Sequence, residues 1–112
     1  MGVTLNNLSS YNSAMKIDYG ETIIFFKFGA VWCIPCIELD KVLVNIPNSM
    51  IYHISIENEE FESYLTDNKI YTVPDTFVKY KDQTFRFQGM RTTEQIMKII
   101  EESVKQLRLN FF

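Results

Sequence analysis

The sequence of 112 residues has few of the residues that mark several protein classes. With two cysteines and one histidine, one chain lacks the four Cys or His ligands of a structural zinc site. No apolar run reaches the length of a membrane-spanning helix. The formal net charge of -3 gives no basic surface for nucleic acid. We therefore expect no metal, no membrane and no nucleic acid among its partners.

The sequence also gives no sign of a secretory leader, and we expect none. The N-terminal stretch MGVTLNNLSSYNSAMKIDYGE has no basic segment followed by an apolar one. We therefore predict a cytoplasmic protein. Structural disulfides are rare in the cytoplasm, where closely spaced cysteines are more often catalytic or metal-binding.

What the sequence does have is material for one packed core. Hydrophobic residues make up 46% and aromatic residues 14% of the chain, which argues against disorder. The length suits one domain with a single sizeable core. We expect one domain over residues 1–112, acting as a monomer.

The hydrophobic pattern predicts an α/β domain in which helices and strands alternate. Two continuous apolar runs, rich in Ile, predict strands covered on both faces at 22–28 and 50–56. Two later runs on either side of Asp82 predict an antiparallel hairpin, over 76–81 and 83–88.

Helices are predicted between and after these strands. Apolar residues recur at helical spacing in four segments, 8–15, 39–46, 58–67 and 91–109. Pro47 ends the second of them, and Thr92 with Gln95 has the spacing of a capping box at the start of the last. One face of the last helix carries Met97, Ile100, Val104 and Leu107. With a short strand near Val3, the order implies a mixed sheet covered by helices.

The two cysteines lie in the stretch FFKFGAVWCIPCIEL, residues 25–39. Cys33 follows a predicted strand and opens a predicted helix, where free N–H groups and a partial positive charge favour a thiolate. Cys36 lies one turn further, within reach of a disulfide, and Pro35 is tolerated in a first helical turn. We interpret the two as a redox pair. A metal site shared between two chains and a pair of inert core thiols are the alternatives.

The segment FGAVWCIPC resembles the active-site segment of the thioredoxin family, whose common form is Trp-Cys-Gly-Pro-Cys after a central strand. YTVPDTFVKY stands where that family has a strand preceded by a cis-proline, and FQGM where it has a glycine before the final helix. The resemblance covers most of the chain. It implies a thioredoxin-like fold, with a central mixed β-sheet flanked by helices on both faces, and no metal or organic cofactor.

The resemblance implies that Cys33 is the attacking thiolate and Cys36 the buried resolving thiol. Pro74 would be the cis-proline facing the pair and would leave the Val73 backbone free to bind an extended substrate. Gly89 would allow the partner's backbone to approach closely. The rest of the predicted substrate-binding surface is Trp32, Ile34 and Pro35. The plain alternatives are a strand-start proline at Pro74 and an ordinary loop at Gly89.

The sequence departs from the family pattern near the cysteine pair. Lys27 stands where many thioredoxins have a buried Asp that helps to deprotonate the resolving thiol, and it either points inward or extends to solvent. His53 stands where the family often has a Lys paired with that Asp. An ion pair here needs an acid such as Glu57, so Lys27, His53 and Glu57 are candidates for tuning the thiol pKa. Asp75 adds negative charge to the site if its side chain faces the cysteines.

The resemblance implies a thiol–disulfide oxidoreductase that reduces protein disulfides through a mixed disulfide. A flavin-dependent thioredoxin reductase would recharge it. One alternative is a thiol oxidase or disulfide isomerase, disfavoured by Pro35, where oxidising relatives commonly have His. The other is a non-enzymatic binding module. The intact cysteine pair disfavours that module, and the missing buried Asp keeps it open.

Overall fold

The computed structural model describes residues 2–110, with side chains described as far as residue 105. Within that range, five strands and four α-helices follow one another in the predicted order. The strands are β1 (Val3–Thr4), β2 (Ile23–Gly29), β3 (Ser49–Ser55), β4 (Asp75–Tyr80) and β5 (Gln83–Gln88). The helices are α1 (Leu8–Lys16), α2 (Ile34–Leu43), α3 (Glu62–Asp67), entered through a 3-10 turn at Glu59–Phe61, and α4 (Thr93–Asn110).

The five strands form one mixed sheet in the order β1-β3-β2-β4-β5. β1, β2 and β3 run parallel, whereas β4 is antiparallel to β2 and pairs with β5 as a hairpin. The predicted mixed sheet with an antiparallel edge is therefore confirmed. The predicted strand near Val3 is confirmed as the short edge strand β1.

β2 lies at the centre of the sheet, and all seven of its residues are buried. Because side chains alternate along a strand, Phe25 packs on one face while Phe26 and Phe28 pack on the other. The Phe25 face is covered by α2 and α4, through Leu39, Leu43, Ile96 and Ile100. The opposite face is covered by α1 and the segment entering α3, through Tyr11, Ala14 and Phe61. A strand buried on both faces explains the continuous apolar run from which it was predicted.

α4 begins at the predicted capping box. The Thr92 hydroxyl accepts the N–H of Gln95, and the Gln95 side chain accepts the N–H of Thr92. Between residues 93 and 105 of α4, the buried side chains are Ile96 and Ile100, while Met97 and Val104 of the predicted face are half-buried. The side chain of Leu107 lies outside the described residues. Among the described residues, no helix is both long and apolar enough to cross a bilayer.

The β4–β5 hairpin turns through Lys81 and Asp82, which have φ angles of 49° and 62°. A two-residue hairpin turn of this kind needs positive φ at both positions, which Gly, Asn and Asp adopt most readily. Asp82 therefore adopts the positive φ that Gly often provides at this position of a hairpin turn. This explains how a turn without glycine still forms a tight hairpin.

The hairpin also neutralises Asp75, which is fully buried at the start of β4. Its carboxylate accepts hydrogen bonds from Arg86 Nε at 2.8 Å, Arg86 Nη2 at 2.5 Å and Gln88 Nε2 at 3.1 Å. Asp75 pairs with Phe28 of β2 and so shares its sheet face, opposite the face that α2 covers. The possibility that Asp75 adds negative charge beside the cysteines is thus not realised.

We expect Arg86→Met to lower the free energy of unfolding by roughly 3 kcal/mol, because it leaves a buried carboxylate without its cation. Lys81→Met is the matched control. Lys81 pairs with Glu21 at the surface, at 3.5 Å, and such pairs contribute about 0–1 kcal/mol. Urea denaturation of both variants measures the difference. Equal losses would contradict a structural role for the Arg86–Asp75 pair.

Candidate active site

The cysteine pair lies at the start of α2, as the sequence predicts. Cys33 is the N-cap residue, and its Sγ accepts the backbone N–H of Cys36 at 3.1 Å. The two side chains form a disulfide, with the Cα atoms 5.2 Å apart. Pro35 occupies the first turn, where its missing N–H costs no helical hydrogen bond.

Both cysteines are buried, but their surroundings differ. Cys33 is 4% exposed and Cys36 is 2% exposed. Cys33 sits at the helix N-terminus, where a hydrogen bond and the helix dipole favour its thiolate. Cys36 packs inward against Gly29, the last residue of β2. A Cβ atom on Gly29 would lie 3.2 Å from Cys36 Sγ and 3.3 Å from Lys27 Cε, so a larger residue here would require both neighbours to move by a few tenths of an ångström.

The loops predicted to bind substrate meet at the same end of the sheet. Gly29 ends β2, Pro74 precedes β4 and Gly89 follows β5. The Val73–Pro74 peptide bond is cis, which confirms that prediction. Gly89 has a φ of 76°, a value that favours glycine, and its N–H donates to the Pro74 carbonyl at 2.8 Å. The substrate-binding roles of Val73, Pro74 and Gly89 stay predictions.

Large apolar side chains are exposed around this end of the sheet. They come from the turn before α2, the first turn of α2 and the loops before β4 and after β5. We call them the apolar rim: Val31, Trp32, Ile34, Ile37, Tyr71 and Met90. Trp32 and Ile34 were predicted to belong to the substrate surface, and the other four were missed. The signal for Tyr71 and Met90 was available, because each is a large apolar residue at the end of a motif already singled out, YTVPDTFVKY or FQGM.

Lys27 points inward, which answers the question that its sequence position raised. Its ammonium pairs with Asp40 Oδ1 at 2.5 Å, and its side chain is 7% exposed. Asp40 lies on α2, one helical turn beyond Cys36. Glu57 is exposed in the turn after β3, so the acid that joins Lys27 is Asp40 and not Glu57. The missed signal was the i, i+4 spacing of Cys36 and Asp40, which puts both on one side of the helix.

His53 completes this charged cluster from β3. It pairs with Lys27 across the two strands, and its Nδ1 lies 3.9 Å from Asp40 Oδ1. Partial burial and then the positive charge of Lys27 lower the pKa of His53, while Asp40 opposes the shift. His53 is therefore the neutral member of the cluster near neutral pH.

An open cleft of about 400 Å³ lies beside the inner cysteine. Cys36, Lys27, Asp40 and His53 all line it. The cleft is therefore a path by which solvent can approach the inner cysteine, which is otherwise buried. Among the described residues, no group of three or more His, Cys, Asp or Glu side chains is placed to hold a metal ion.

We expect Asp40→Asn to destabilise the fold more than Lys27→Met. The first variant leaves a buried ammonium without a countercharge, which costs roughly 1–3 kcal/mol. The second leaves a carboxylate that is 35% exposed and that water can solvate, so the change is within about 1 kcal/mol. Urea denaturation of the two variants tests this order, and the reverse order would contradict it.

The lowered pKa of His53 predicts how stability depends on pH. Below the ordinary value of 6.5, the unfolded chain takes up a proton that folded His53 binds less readily. The free energy of unfolding therefore falls as the pH drops from neutral to about 5. His53→Gln removes the only histidine and should flatten this part of the profile. Urea denaturation at each pH measures the free energy of unfolding. An equal dependence on pH in parent and variant would contradict the prediction.

The sequence of the chain is similar to those of known proteins. No protein-family model matches the chain. The chain is 31% identical to mitochondrial thioredoxin O of Oryza sativa subsp. japonica over 99 residues, which cover 84% of this chain and 53% of that protein. It is 30% identical to chloroplastic thioredoxin Y1 of Arabidopsis thaliana over 87 residues, 73% of this chain and 50% of that protein. The chain thus spans about half the length of the curated relatives it matches.

Solved structures agree on the fold. The crystal structure of oxidised thioredoxin O1 from Arabidopsis thaliana superposes with a TM-score of 0.70 at 21% identity, covering 89% of this chain and 95% of that one. In this chain, the mixed sheet carries a Cys-x-x-Cys disulfide at the start of a helix. Together with the sequence identity to the two curated relatives, these features identify the chain as a member of the thioredoxin family.

Proposed function

We propose that this domain is a thiol–disulfide oxidoreductase that reduces protein disulfides. The observation that carries the proposal is the Cys33–Cys36 disulfide at the N-terminus of α2, with the Cys36 N–H directed at Cys33 Sγ. When the disulfide is reduced, the same N–H and the helix dipole favour a thiolate on Cys33. Cys33 is therefore the attacking thiol and Cys36 the resolving one.

The reaction proceeds by two exchanges of sulfur bonds. The Cys33 thiolate attacks one sulfur of the partner's disulfide, so that a bond between Cys33 and the partner forms and the partner's own S–S bond breaks. The leaving sulfur departs as a thiolate and takes a proton from water. The Cys36 thiolate then attacks Cys33 Sγ, forming the Cys33–Cys36 bond and releasing the second partner sulfur. Two electrons pass to the partner, and the domain ends oxidised.

The apolar rim supports a protein segment as the substrate. Its six side chains are exposed around the cysteine pair, where they offer an apolar surface that a partner can cover. Beside it, no hydrogen bond joins the Val73 backbone to the described residues. An extended segment that pairs with Val73 would bring its disulfide over Cys33, with Gly89 leaving room for its backbone.

A reductant must return the domain to its dithiol form. We propose a flavin-dependent thioredoxin reductase for this step, acting on a monomer of this chain. The predicted cytoplasmic location stays a prediction, because the two curated relatives are named as mitochondrial and chloroplastic.

Reduction of insulin with dithiothreitol as the electron source tests the proposed activity. The parent chain should accelerate the reduction, and Cys33→Ser should abolish the acceleration because no attacking thiolate is left. Cys36→Ser should instead accumulate a mixed disulfide with the substrate, visible on a non-reducing gel. Lys81→Met serves as a folded control with parent activity.

The binding-module alternative predicts a different pattern. The parent would then fail to accelerate reduction with any disulfide tried, and the double variant Cys33→Ser, Cys36→Ser would bind partners as tightly as the parent. A measured reduction potential separates a reductant from an oxidant, since thioredoxin lies at about -270 mV and a strong oxidant at about -120 mV. A value near the second figure would replace reduction by oxidation as the function.

A further inference from the structure

A buried lysine lies beneath the resolving cysteine. Cys36 Sγ and Lys27 Cε lie 3.2 Å and 3.3 Å from one point, the position that a Cβ on Gly29 would take. The two atoms are therefore no further apart than the sum of these distances. The ammonium is one bond beyond Cε, so it is close enough to act on the charge of the sulfur.

The charged groups around Cys36 come from three elements. β2 contributes Lys27, β3 contributes His53, and α2 contributes Asp40 together with Cys33 itself. From β4, the residue that pairs with Lys27 is Thr76, which carries no charge. With His53 neutral near neutral pH, the field at Cys36 is set by the Lys27–Asp40 pair.

The two charges of that pair do not cancel at the sulfur. Lys27 is 7% exposed, so its field acts through the protein interior, whereas Asp40 is 35% exposed and water screens its field. The field of Lys27 at Cys36 is therefore the less screened of the two, and a nearby positive charge favours a thiolate.

We propose that Lys27, paired with Asp40, is a positioning residue that stabilises the thiolate of Cys36. The inference rests on the proposed function, in which that thiolate attacks Cys33 Sγ. The proton of Cys36 passes to water in the cleft, and the sulfur then carries the electron pair that forms the Cys33–Cys36 bond. As the bond between Cys33 and the partner breaks, the electron pair leaves on the partner's sulfur, which takes a proton from water.

A titration of Cys36 alone tests this assignment without any substrate. In the Cys33→Ser background, Cys36 is the only thiol of the chain, and the ultraviolet absorbance of its thiolate can be followed against pH. Adding Lys27→Met should raise the pKa of Cys36 by about one unit, a tenfold loss of thiolate below that pKa. Lys27→Arg keeps the charge and should leave the pKa near that of the parent.

The matched control is Lys41→Met, which removes a lysine from the exposed side of α2, the helix that carries Cys36. Lys41 pairs with Glu38 at 3.2 Å at the surface, and its loss should leave the titration of Cys36 unchanged. Lys27→Gln provides a second neutral side chain should Lys27→Met fail to fold, as judged by circular dichroism. Both neutral variants should shift the pKa of Cys36 upward.

Resolution of a mixed disulfide tests the consequence for the reaction. Treating the reduced domain with an aromatic disulfide reagent releases one aryl thiol when Cys33 attacks and a second when Cys36 resolves the adduct. Lys27→Met should slow the second release about threefold, because the higher nucleophilicity of a more basic thiolate offsets part of the tenfold loss. The first release should keep the parent rate.

Two results would overturn the proposal. One is an unchanged pKa of Cys36 in both neutral variants, and the other is a shift in Lys27→Arg as large as in Lys27→Met, which would assign the effect to packing. Failure of the proposed function gives a separate result. In that case the titration shift would be present while the parent reduced no protein disulfide.

Discussion

The structure depends on the burial of β2 on both faces of the sheet. Its seven residues are all buried, and its apolar side chains supply the centre of both cores. A strand so enclosed has little freedom to shift, because a slip of one residue would exchange the side chains of the two faces. The turn that follows Gly29 therefore delivers Cys33 and Cys36 to a defined place at the end of the sheet.

The same constraint explains the unusual chemistry below the cysteines. A charged residue in a strand buried on both faces has little contact with bulk water, so Lys27 needs a partner within the fold. α2 provides it, because the helix that begins at the cysteine pair brings Asp40 over the sheet one turn later. The helix that presents the redox pair is thus also the helix that supplies the carboxylate paired with the lysine.

Charge on the other face of the sheet is handled in a similar way. Asp75 directly follows the cis-proline, but its register opposite Phe28 directs it away from α2 and toward Arg86. On the face that α2 covers, the end of the sheet that carries the cysteines therefore has the exposed apolar rim and the buried Lys27, paired with Asp40. A partner approaching Cys33 meets apolar side chains there, while the charge lies behind the disulfide, next to Cys36.

The sequence by itself determined the order of the elements, the interior position of β2 and the place of the cysteine pair at a helix start. These follow from local signals: a continuous apolar run, a turn, a Cys-x-x-Cys pair and a capping box lie within short stretches of chain. The cis peptide bond at Pro74 was predicted from the resemblance to the thioredoxin family and not from a local signal. Only the tertiary structure decided the direction of Lys27, the choice of Asp40 rather than Glu57 as its partner, and the burial of Asp75 against Arg86. Each of those pairs joins residues on different elements, and the strand register and helix packing that bring them together depend on long-range contacts.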